Sequence, residues 1–553
     1  MWKKHPKALP FLFFSEMWER FGYYLMIGIF TLYLKDAVAG FNMDEKDSAS
    51  LYGTFIALVF FTPFLGGLVA DRYLGYRRSI VIGGLLMGIG YCTMGIHNIT
   101  MLYVSMALVI IGNGFFKPNI STLLGNVYST PQHMHQKDEG YNIFYMGINV
   151  GAFICNFFGA ALYTMIGWGA AFAAAGVGMF IGVITFLVGT KHYKAYDVRK
   201  PLQPGDLPLW KIMVTVILPC IVFGVIGYFF KGTGPTADHF IFDSDSTDAF
   251  IFACIPVLIY YTFLVIKSNK QERPALGAML TIFAVVILFW AIFKQNGSAL
   301  NTWASRYTDR SVSGAFGNVL HGLKQTDKPV NTTYKLDSVV KMDNQFRKIK
   351  ADGKEIKELG YPPYFKNVPP DKLPKEGETV KAWLPSLSQS INPFWVIVLT
   401  PLIVAFFTWL RRKGKEPSTP TKIAFGLLIS ALSVLVMIAA VKAGNNGSEK
   451  VSVWWLIGSY GVITIGELFL SPMGLSLVSK LSPVRMTSLM MGGWFLSTSI
   501  GNKLSGILAS KWDEYDNKAS YFWLNFFLLG GAALLLFLLL KWLNKVMKEK
   551  GVN

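Results

Sequence analysis

Charged residues are scarce in this chain, and their scarcity excludes an ordinary soluble fold. Only 15% of its 553 residues are Asp, Glu, Lys or Arg, whereas 52% are hydrophobic; soluble domains carry about 25% charged residues. A water-soluble chain of this length would need an implausibly large dry core, but a lipid bilayer accepts apolar surface directly. The many aromatic residues and the 53 glycines also fit membrane helices.

Cysteine is rare, and its placement argues against a disulfide framework or a metal centre. Cys92, Cys155, Cys220 and Cys254 lie in apolar stretches without CxxC or CxxH spacing. A cleavable signal peptide is not expected either, because charges beginning at Glu16 interrupt the first apolar run. We therefore expect no metal and no cofactor.

Acidic residues are outnumbered by basic ones, which gives a formal net charge of +19. No long basic run is interleaved with aromatic residues, so no nucleic-acid partner is expected. The basic residues instead lie in alternate loops such as "DRYLGYRRS" and "RRKGKEPSTPTK", while opposite loops such as "KWDEYDNKAS" are more acidic. The positive-inside rule then predicts a multi-pass membrane protein with both termini in the cytoplasm.

Fourteen segments have the roughly 20 apolar residues that a spanning helix needs. They fall near 10–38, 49–71, 79–97, 101–126, 141–166, 169–190, 208–230, 248–267, 275–303, 391–411, 421–443, 451–480, 486–510 and 520–542. The pattern predicts an all-α polytopic protein with a six-helix bundle at 1–192, a linker with an extra helix pair at 193–272, and a second bundle at 273–553. The polar stretch 304–389 is expected outside the cytoplasm, either as a small cap or as a disordered loop, with its Pro-rich part extended.

Ionisable residues inside the first span are the strongest functional signal, because each is costly in lipid. Glu16, Glu19, Arg20, Tyr23 and Tyr24 follow the spacing i, i+3, i+4, i+7 and i+8, which is one helix face. Two carboxylates share one guanidinium, so a further cation is expected nearby. A purely structural salt-bridge network is the alternative.

Opposite charges occupy equivalent spans of the two halves. Lys117 precedes Pro118 in span 4, and Glu467 lies in span 10 with Ser471 one turn beyond it. We expect both to face a shared cavity at the midplane, where a zwitterion would place its carboxylate toward Lys117 and its amine toward Glu467. Structural pairing of Glu467 is the alternative.

Further polar and aromatic residues in spans 5, 7, 8 and 11 are candidates to line that cavity. They are Tyr145, Asn149, Trp290, Lys294, Asn392 and Trp494. Helix packing, interface anchoring or interhelical hydrogen bonding would explain the same residues.

Several motifs resemble those of a known family. "GGLVADRYLGYRR" resembles the loop 2–3 signature of the major facilitator superfamily, and "EMWERFGYY" resembles the ExxERFxYY motif of the proton-dependent oligopeptide transporters. "GNGFFKPNIS", "FYMGINVG", "NPFWVI" and "GELFLSPMGLS" are similar to that family's other motifs, in the expected order. The resemblance implies two six-helix bundles with alternating access, and proton-driven import of di- and tripeptides by a monomeric unit.

The resemblance also implies roles for individual residues. Glu16, Glu19 and Arg20 match the proton-coupling cluster, with Lys117 as its partner. Glu467 matches the acid that receives the peptide amine, with Ser471 beside it. Tyr23, Tyr24, Asn149, Asn392 and Trp494 match pocket positions.

The chain departs from the family pattern at three positions. Ile27 stands where a carboxylate-binding Arg is expected, Lys294 where a coupling Glu is expected, and Phe60 where a pocket Tyr is common. The first two changes make the pocket one unit more positive. We hypothesise that Lys294 partly replaces the Arg, with coupling left to the first-span cluster and Lys117; alternatively, Lys294 itself carries the coupling proton.

Two other functions remain open at this point. The same fold could carry an amino acid, a modified peptide or another organic anion. A non-transporting receptor is the second alternative, although a receptor needs no proton site. A membrane enzyme is not expected, because no nucleophile–base pair, HExxH or phosphate loop is present.

Overall fold

The computed structural model describes residues 4–36, 38–43, 45–197, 208–230, 245–322, 326–327, 329–351 and 354–550. Helices dominate, which confirms the predicted all-α class. In chain order they are α1 (Ala8–Lys35), α2 (Glu45–Val69), α3 (Tyr76–Met94), α4 (Ile99–Val127), α5 (Lys137–Met165), α6 (Trp168–Gly189), α7 (Trp210–Phe229), α8 (Asp245–Lys267), α9 (Arg273–Phe293), α10 (Ala299–Tyr307), α11 (Gly314–Gly322), α12 (Ser388–Arg412), α13 (Thr419–Ala443), α14 (Val453–Leu481), α15 (Thr487–Ser510) and α16 (Lys518–Glu549).

Ten helices of the described chain are long and apolar enough to cross a membrane. α1, α3, α5 and α15 occupy the positions of the remaining expected spans, and the number fourteen stays a prediction. Large apolar side chains such as Ile184, Leu402 and Leu538 are exposed on outer faces. This outward apolar surface is what lipid-facing helices require.

Glycines set the close packing of the first bundle, which α1–α6 form. A Cβ atom added to Gly66 of α2 would lie 1.9 Å from the carbonyl oxygen of Gly114 in α4. A Cβ atom on Gly83 of α3 would lie 2.5 Å from the carbonyl oxygen of Gly112. Backbones approach this closely only where small residues stand at the crossing, which explains part of the high glycine content.

The second bundle contains α9 and α12–α16, and glycines allow close helix packing there too. A Cβ atom on Gly426 of α13 would lie 2.7 Å from the carbonyl oxygen of Gly466 in α14. The α13–α14 pair therefore corresponds to the α3–α4 pair of the first bundle. Side chains cap the starts of these helices: Ser418 accepts from the N–H of Thr421, and Ser452 from that of Trp454.

The extra helices α7 and α8 pack against each other, and α8 also contacts α2 and α9. The Tyr261 hydroxyl of α8 donates to the carbonyl of Leu489 in α15 at 2.7 Å. Two parts of the predicted linker, 198–207 and 231–244, lie outside the described residues.

The expected long span at 275–303 is wrong in one respect, because the helix breaks. α9 ends at Phe293, a 3₁₀ turn covers Lys294–Gly297, and α10 begins at Ala299. Buried Gln295 holds the break: its Oε1 accepts from the hydroxyl of Tyr521 at 2.8 Å and from Nδ2 of Asn525 at 3.0 Å. These bonds from α16 tie the turn to the second bundle.

The polar stretch 304–389 contains a small folded cap rather than a long structureless loop. Strands β1 (Asp337–Val340) and β4 (Lys357–Gly360) pair antiparallel, as do β2 (Lys350–Ala351) and β3 (Lys354–Glu355). The Pro-rich segment expected to be extended contains two 3₁₀ turns, Pro363–Phe365 and Pro370–Lys372. The cap rests on the second bundle through the Asp309 N–H, which donates to the Val451 carbonyl at 2.9 Å.

Candidate functional site: a charged cavity between the bundles

The charged cluster of α1 is buried between helices, with Glu16, Glu19 and Arg20 each at most 3% exposed. Arg20 makes a two-pronged ion pair with Glu19, and its Nε lies 3.5 Å from Oε1 of Glu16. The other oxygen of Glu16, Oε2, is buried without a hydrogen-bond partner among the described residues. Glu19 is therefore satisfied by Arg20, whereas Glu16 keeps an acceptor that a proton or another cation would satisfy.

Lys117 does not pair directly with this cluster. Within the described residues no carboxylate oxygen lies within 4.0 Å of its Nζ. The ammonium instead lies over the rings of Phe60 at 4.4 Å and Phe495 at 4.7 Å. These cation–π contacts hold the charge beside the cavity while leaving it open to a carboxylate.

Glu467 is held from both bundles. The hydroxyl of Tyr145, on α5, donates to Oε1 at 2.5 Å, and Nδ2 of Asn392, on α12, donates to Oε2 at 2.7 Å. Nδ2 of Asn392 also lies 2.9 Å from Oγ1 of Thr464. The carboxylate has lone pairs beyond these bonds, so it can accept from an ammonium as well.

Lys294 begins the turn that ends α9. Its Nζ lies over the rings of Trp290 at 5.6 Å and Phe293 at 5.9 Å, and the described structure places no carboxylate oxygen within 4.0 Å of it. The indole Nε1 of Trp290 is buried without a hydrogen-bond partner in the part of the chain described. The helix break thus places a cation and an unused N–H donor at the same wall.

These groups line one cavity of about 240 Å³ between the bundles. The lining contains Glu16, Tyr24, Lys117, Tyr145, Asn149, Trp290, Lys294, Asn392, Glu467, Ser471 and Trp494, together with Arg20. Of the predicted site residues, Glu19 and Tyr23 lie outside the described lining. Both contact Arg20: Glu19 through its ion pair, and Tyr23 through its ring, whose centre lies 4.9 Å from the guanidinium carbon. Ile27 and Phe60 also line the cavity.

Sequence reasoning missed several lining residues that helical spacing could have found. Gln389 lies three residues before Asn392, and Thr498 lies four residues after Trp494. Such spacings place side chains on one helix face. Phe495 follows Trp494 directly, and no periodic signal pointed to it.

The sequence also missed a cluster of ion pairs that closes one end of the interface between the bundles. We name Asp138, Lys422 and Lys480 the latch. Asp138 of α5 pairs with Lys422 of α13 at 2.8 Å and with Lys480 of α14 at 2.7 Å. Glu139 and Arg411 add a pair at 2.8 Å between α5 and α12.

A second contact closes the same end. Asp71 lies in a π-helical turn after α2, and Gly75 follows with φ +78°, a conformation that favours glycine. The Asp71 carboxylate accepts from the N–H groups of Ser488 at 3.3 Å and Leu489 at 3.0 Å, at the start of α15. A carboxylate is stabilised there by the helix dipole and by N–H groups without helical partners.

Comparison with known proteins identifies the family. A model of the POT family matches residues 77–319 and 382–524. The chain belongs to the POT family. The match reaches into both bundles, from the start of α3 to the first part of α16, and this POT chain is a transporter, as the motifs predicted.

Relatives cover nearly the whole POT chain. It is 27% identical to the dipeptide and tripeptide permease A of Salmonella typhimurium over 510 residues, which is 92% of this chain and 84% of the relative. It is 27% identical to a di-/tripeptide transporter of Lactococcus lactis subsp. cremoris over 507 residues, covering 90% and 88%.

Solved structures show the same architecture. A mutant of the peptide transporter POT, crystallised in complex with alafosfalin, superposes with a TM-score of 0.63 at 27% identity, covering 99% of this chain and 97% of that one. The predicted major facilitator fold is confirmed by this match. Because nearly all of this chain and nearly all of the solved structure align, this chain is a multi-pass membrane transporter with bacterial relatives.

Proposed function

We propose that this POT chain imports di- and tripeptides together with protons by alternating access. One observation carries the proposal: Lys117 of α4 and Glu467 of α14 line the same 240 Å³ cavity from equivalent helices of the two bundles. A short peptide presents opposite charges at its ends, so it matches this polarity. The volume lies below the roughly 300–1,000 Å³ of drug-sized ligand pockets, which favours a short ligand.

The peptide amine binds Glu467, whose carboxylate already accepts from Tyr145 and Asn392. The peptide carboxylate binds Lys117, and Lys294 offers a second cation in the same lining. Trp290 Nε1 donates to a backbone carbonyl of the ligand, which gives that buried N–H a partner. Tyr24, Asn149, Ser471 and Trp494 complete the binding surface.

Proton coupling rests on Glu16, Glu19, Arg20 and Lys117 in the first version of the proposal. Glu16 is the favoured acceptor there, because Glu19 is already paired with Arg20. In the second version Lys294 carries the proton. Peptide-driven proton uptake by Lys294→Ala, Glu19→Gln and Glu16→Gln separates the two versions, and intact coupling in both glutamate variants would exclude the first.

Another small zwitterion or organic anion is the second candidate substrate. Ile27 and Lys294 both line the cavity, and together they make it one unit more positive than the family pattern. Competition of labelled dialanine by amino acids and by organic anions tests this candidate. Stronger competition by an anion than by dipeptides would favour it over peptide import.

The proposed organisation is a single functional unit in a bacterial inner membrane, with both termini cytoplasmic and no cofactor beyond the coupling proton. The bundles span 1–192 and 273–553, with the extra pair in 193–272. The latch then lies at the cytoplasmic end and holds that end closed.

Uptake of dialanine into proteoliposomes tests the proposed function. A pH gradient, acidic outside, is expected to drive accumulation that Lys117→Gln abolishes and that Glu467→Gln lowers strongly at a dialanine concentration below the KM. Lys341→Gln, a half-exposed cap residue paired with Glu358, is the matched control that keeps uptake. Uptake that is indifferent to the pH gradient would refute proton coupling.

A further inference from the structure

A second cavity, of about 590 Å³, lies where the cap meets the ends of the second-bundle helices. Four cationic side chains line it: Arg306, Arg310, Arg347 and Lys348. None of them belongs to the cavity between the bundles. We call this second space the cap cavity.

Carboxylates pair with the arginines of the cap cavity. Two of them belong to the lining: Asp327 pairs with Arg310 at 2.7 Å, and Asp513 pairs with Arg306 at 3.0 Å. Arg347 is held from outside the lining by Asp343 at 2.6 Å and by Asp516 at 3.2 Å.

Arg310 is the group that points to a ligand. Its side chain is 4% exposed, and its terminal nitrogen donates to Asp327 and to the Trp383 carbonyl. Its Nε is buried without a hydrogen-bond partner among the described residues. A buried guanidinium N–H without an acceptor is unfavourable, so a ligand oxygen at this position would stabilise it.

Aromatic surface lies beside these cations. The Arg310 guanidinium carbon lies 5.3 Å from the centre of the Tyr364 ring, and Lys450 Nζ lies 4.6 Å from the same ring. Phe346 also lines the cavity. An inorganic anion would use the cations alone, whereas a ligand with a planar carboxylate and an apolar group would use both kinds of surface.

We propose that the cap cavity binds a small organic carboxylate with an apolar or aromatic group, at a site separate from the transport cavity. The carboxylate binds Arg310 and Arg347, and the apolar group lies against Tyr364 and Phe346. The proposal stands on the cap alone and does not depend on what the chain transports.

Binding of N-acetyl-L-phenylalanine to the purified full-length protein tests the proposal, measured by titration calorimetry. This probe has a carboxylate and a ring but no amine. We expect binding that weakens at least tenfold in Arg310→Gln and in Arg347→Gln, and no binding of the probe's carboxamide. Arg347→Gln is included because it is half-exposed, so it leaves Arg310 and its partners in place.

Two controls separate this site from others. Lys341→Gln changes a cap lysine outside the cavity lining and should leave binding intact. Lys117→Gln should also leave it intact, since Lys117 lines the transport cavity. Equal binding of the carboxamide, loss of binding in Lys117→Gln with retention in Arg310→Gln, or binding of sulfate alone would each overturn the proposal.

Discussion

A single carboxylate, that of Glu467, connects the two bundles. Glu467 accepts from Tyr145 of the first bundle and from Asn392 of the second. Neither donor is charged, so the negative charge of Glu467 stays available for an ammonium group. This arrangement lets ligand binding and the relative position of the bundles depend on the same side chain.

Removing that charge should weaken peptide binding while keeping the fold. In Glu467→Gln the side-chain oxygen still accepts from one of the two donors. We expect the apparent KM for dialanine to rise about tenfold to a hundredfold, since a hydrogen bond to a charged group contributes roughly 1.5–3 kcal/mol. Uptake measured over a range of dialanine concentrations gives the value. Tyr145→Phe should change it less; an unchanged KM in Glu467→Gln would remove Glu467 from the binding site.

Lys450 lies outside the lining of the cap cavity but beside its Tyr364 ring, so its charge should make binding there depend on pH. Burial and the neighbouring Arg310 lower the pKa of Lys450 to about 7, whereas the Asp309 carboxylate favours its charged form. The charge is present below this pKa and is lost above it. N-acetyl-L-phenylalanine should therefore bind severalfold more weakly at pH 8 than at pH 6. The difference should disappear in Lys450→Gln, and calorimetry at both pH values measures it.

The break after α9 positions Lys294 in the lining of the cavity. The helix ends at Phe293, and Lys294 lies in the 3₁₀ turn that follows, at the cavity wall. In a continuous helix Lys294 would have ordinary α-helical geometry instead. Gln295 anchors the turn to α16 through Tyr521 and Asn525.

Loss of that anchor should destabilise the protein. Gln295→Leu removes the acceptor of the buried Tyr521 hydroxyl, and an unsatisfied buried group costs about 1–3 kcal/mol. We expect a lower Tm in detergent by thermal unfolding. Gln271→Leu, at an exposed position in the loop before α9, is the control and should leave the Tm unchanged. Equal Tm values for both variants would show that the anchor is dispensable.

The close approach of α2 and α4 at Gly66 and Gly114 can be tested by adding a side chain. Gly66→Val places side-chain atoms against the Gly114 carbonyl, so α2 and α4 must separate; overpacking of this kind costs about 1–3 kcal/mol or more. We expect a strong loss of monodisperse protein in size-exclusion chromatography. The control Gly458→Ala meets nothing within 4 Å and should be tolerated. Similar yields for the two variants would contradict close packing at this crossing.

The latch decides the state of the whole molecule, because it joins the bundles at one end. Asp138 pairs with two lysines of the second bundle, and Asp71 seals the start of α15 beside it. Both contacts must break before this end can open. The structure therefore represents the state in which this end is closed.

Asp138→Asn should shift the molecule toward opening at that end. Breaking a buried ion pair by removing one partner costs about 3–5 kcal/mol, which is enough to change a two-state population by more than tenfold. Hydrogen–deuterium exchange should rise in residues 416–424 and 476–489. Glu549→Gln, which removes an exposed pair with Lys545, is the control. Unchanged exchange in Asp138→Asn would mean that the latch does not set the closed state.

Much of the fold was predictable from the sequence because lipid imposes a simple rule. A spanning helix must bond its own backbone and carry apolar side chains, so apolar length and loop charge predict its position and direction. The helix boundaries agree with the predicted spans within a few residues, apart from the break at Lys294 and the end of α16, which extends to Glu549, beyond the predicted 542. The cost of charge in lipid likewise marked Glu16, Lys117 and Glu467 as site candidates.

Which of these charges are satisfied depends on how the helices pack. Arg20 pairs with Glu19 and leaves Glu16 with an unused oxygen, while Lys117 lies over aromatic rings instead of joining the cluster. The latch and the cap cavity were also invisible, because each brings together residues that are distant in the sequence, such as Asp138 with Lys422 and Arg306 with Asp513. Helix positions follow from local composition, but pairing depends on distances between helices, which no local pattern records.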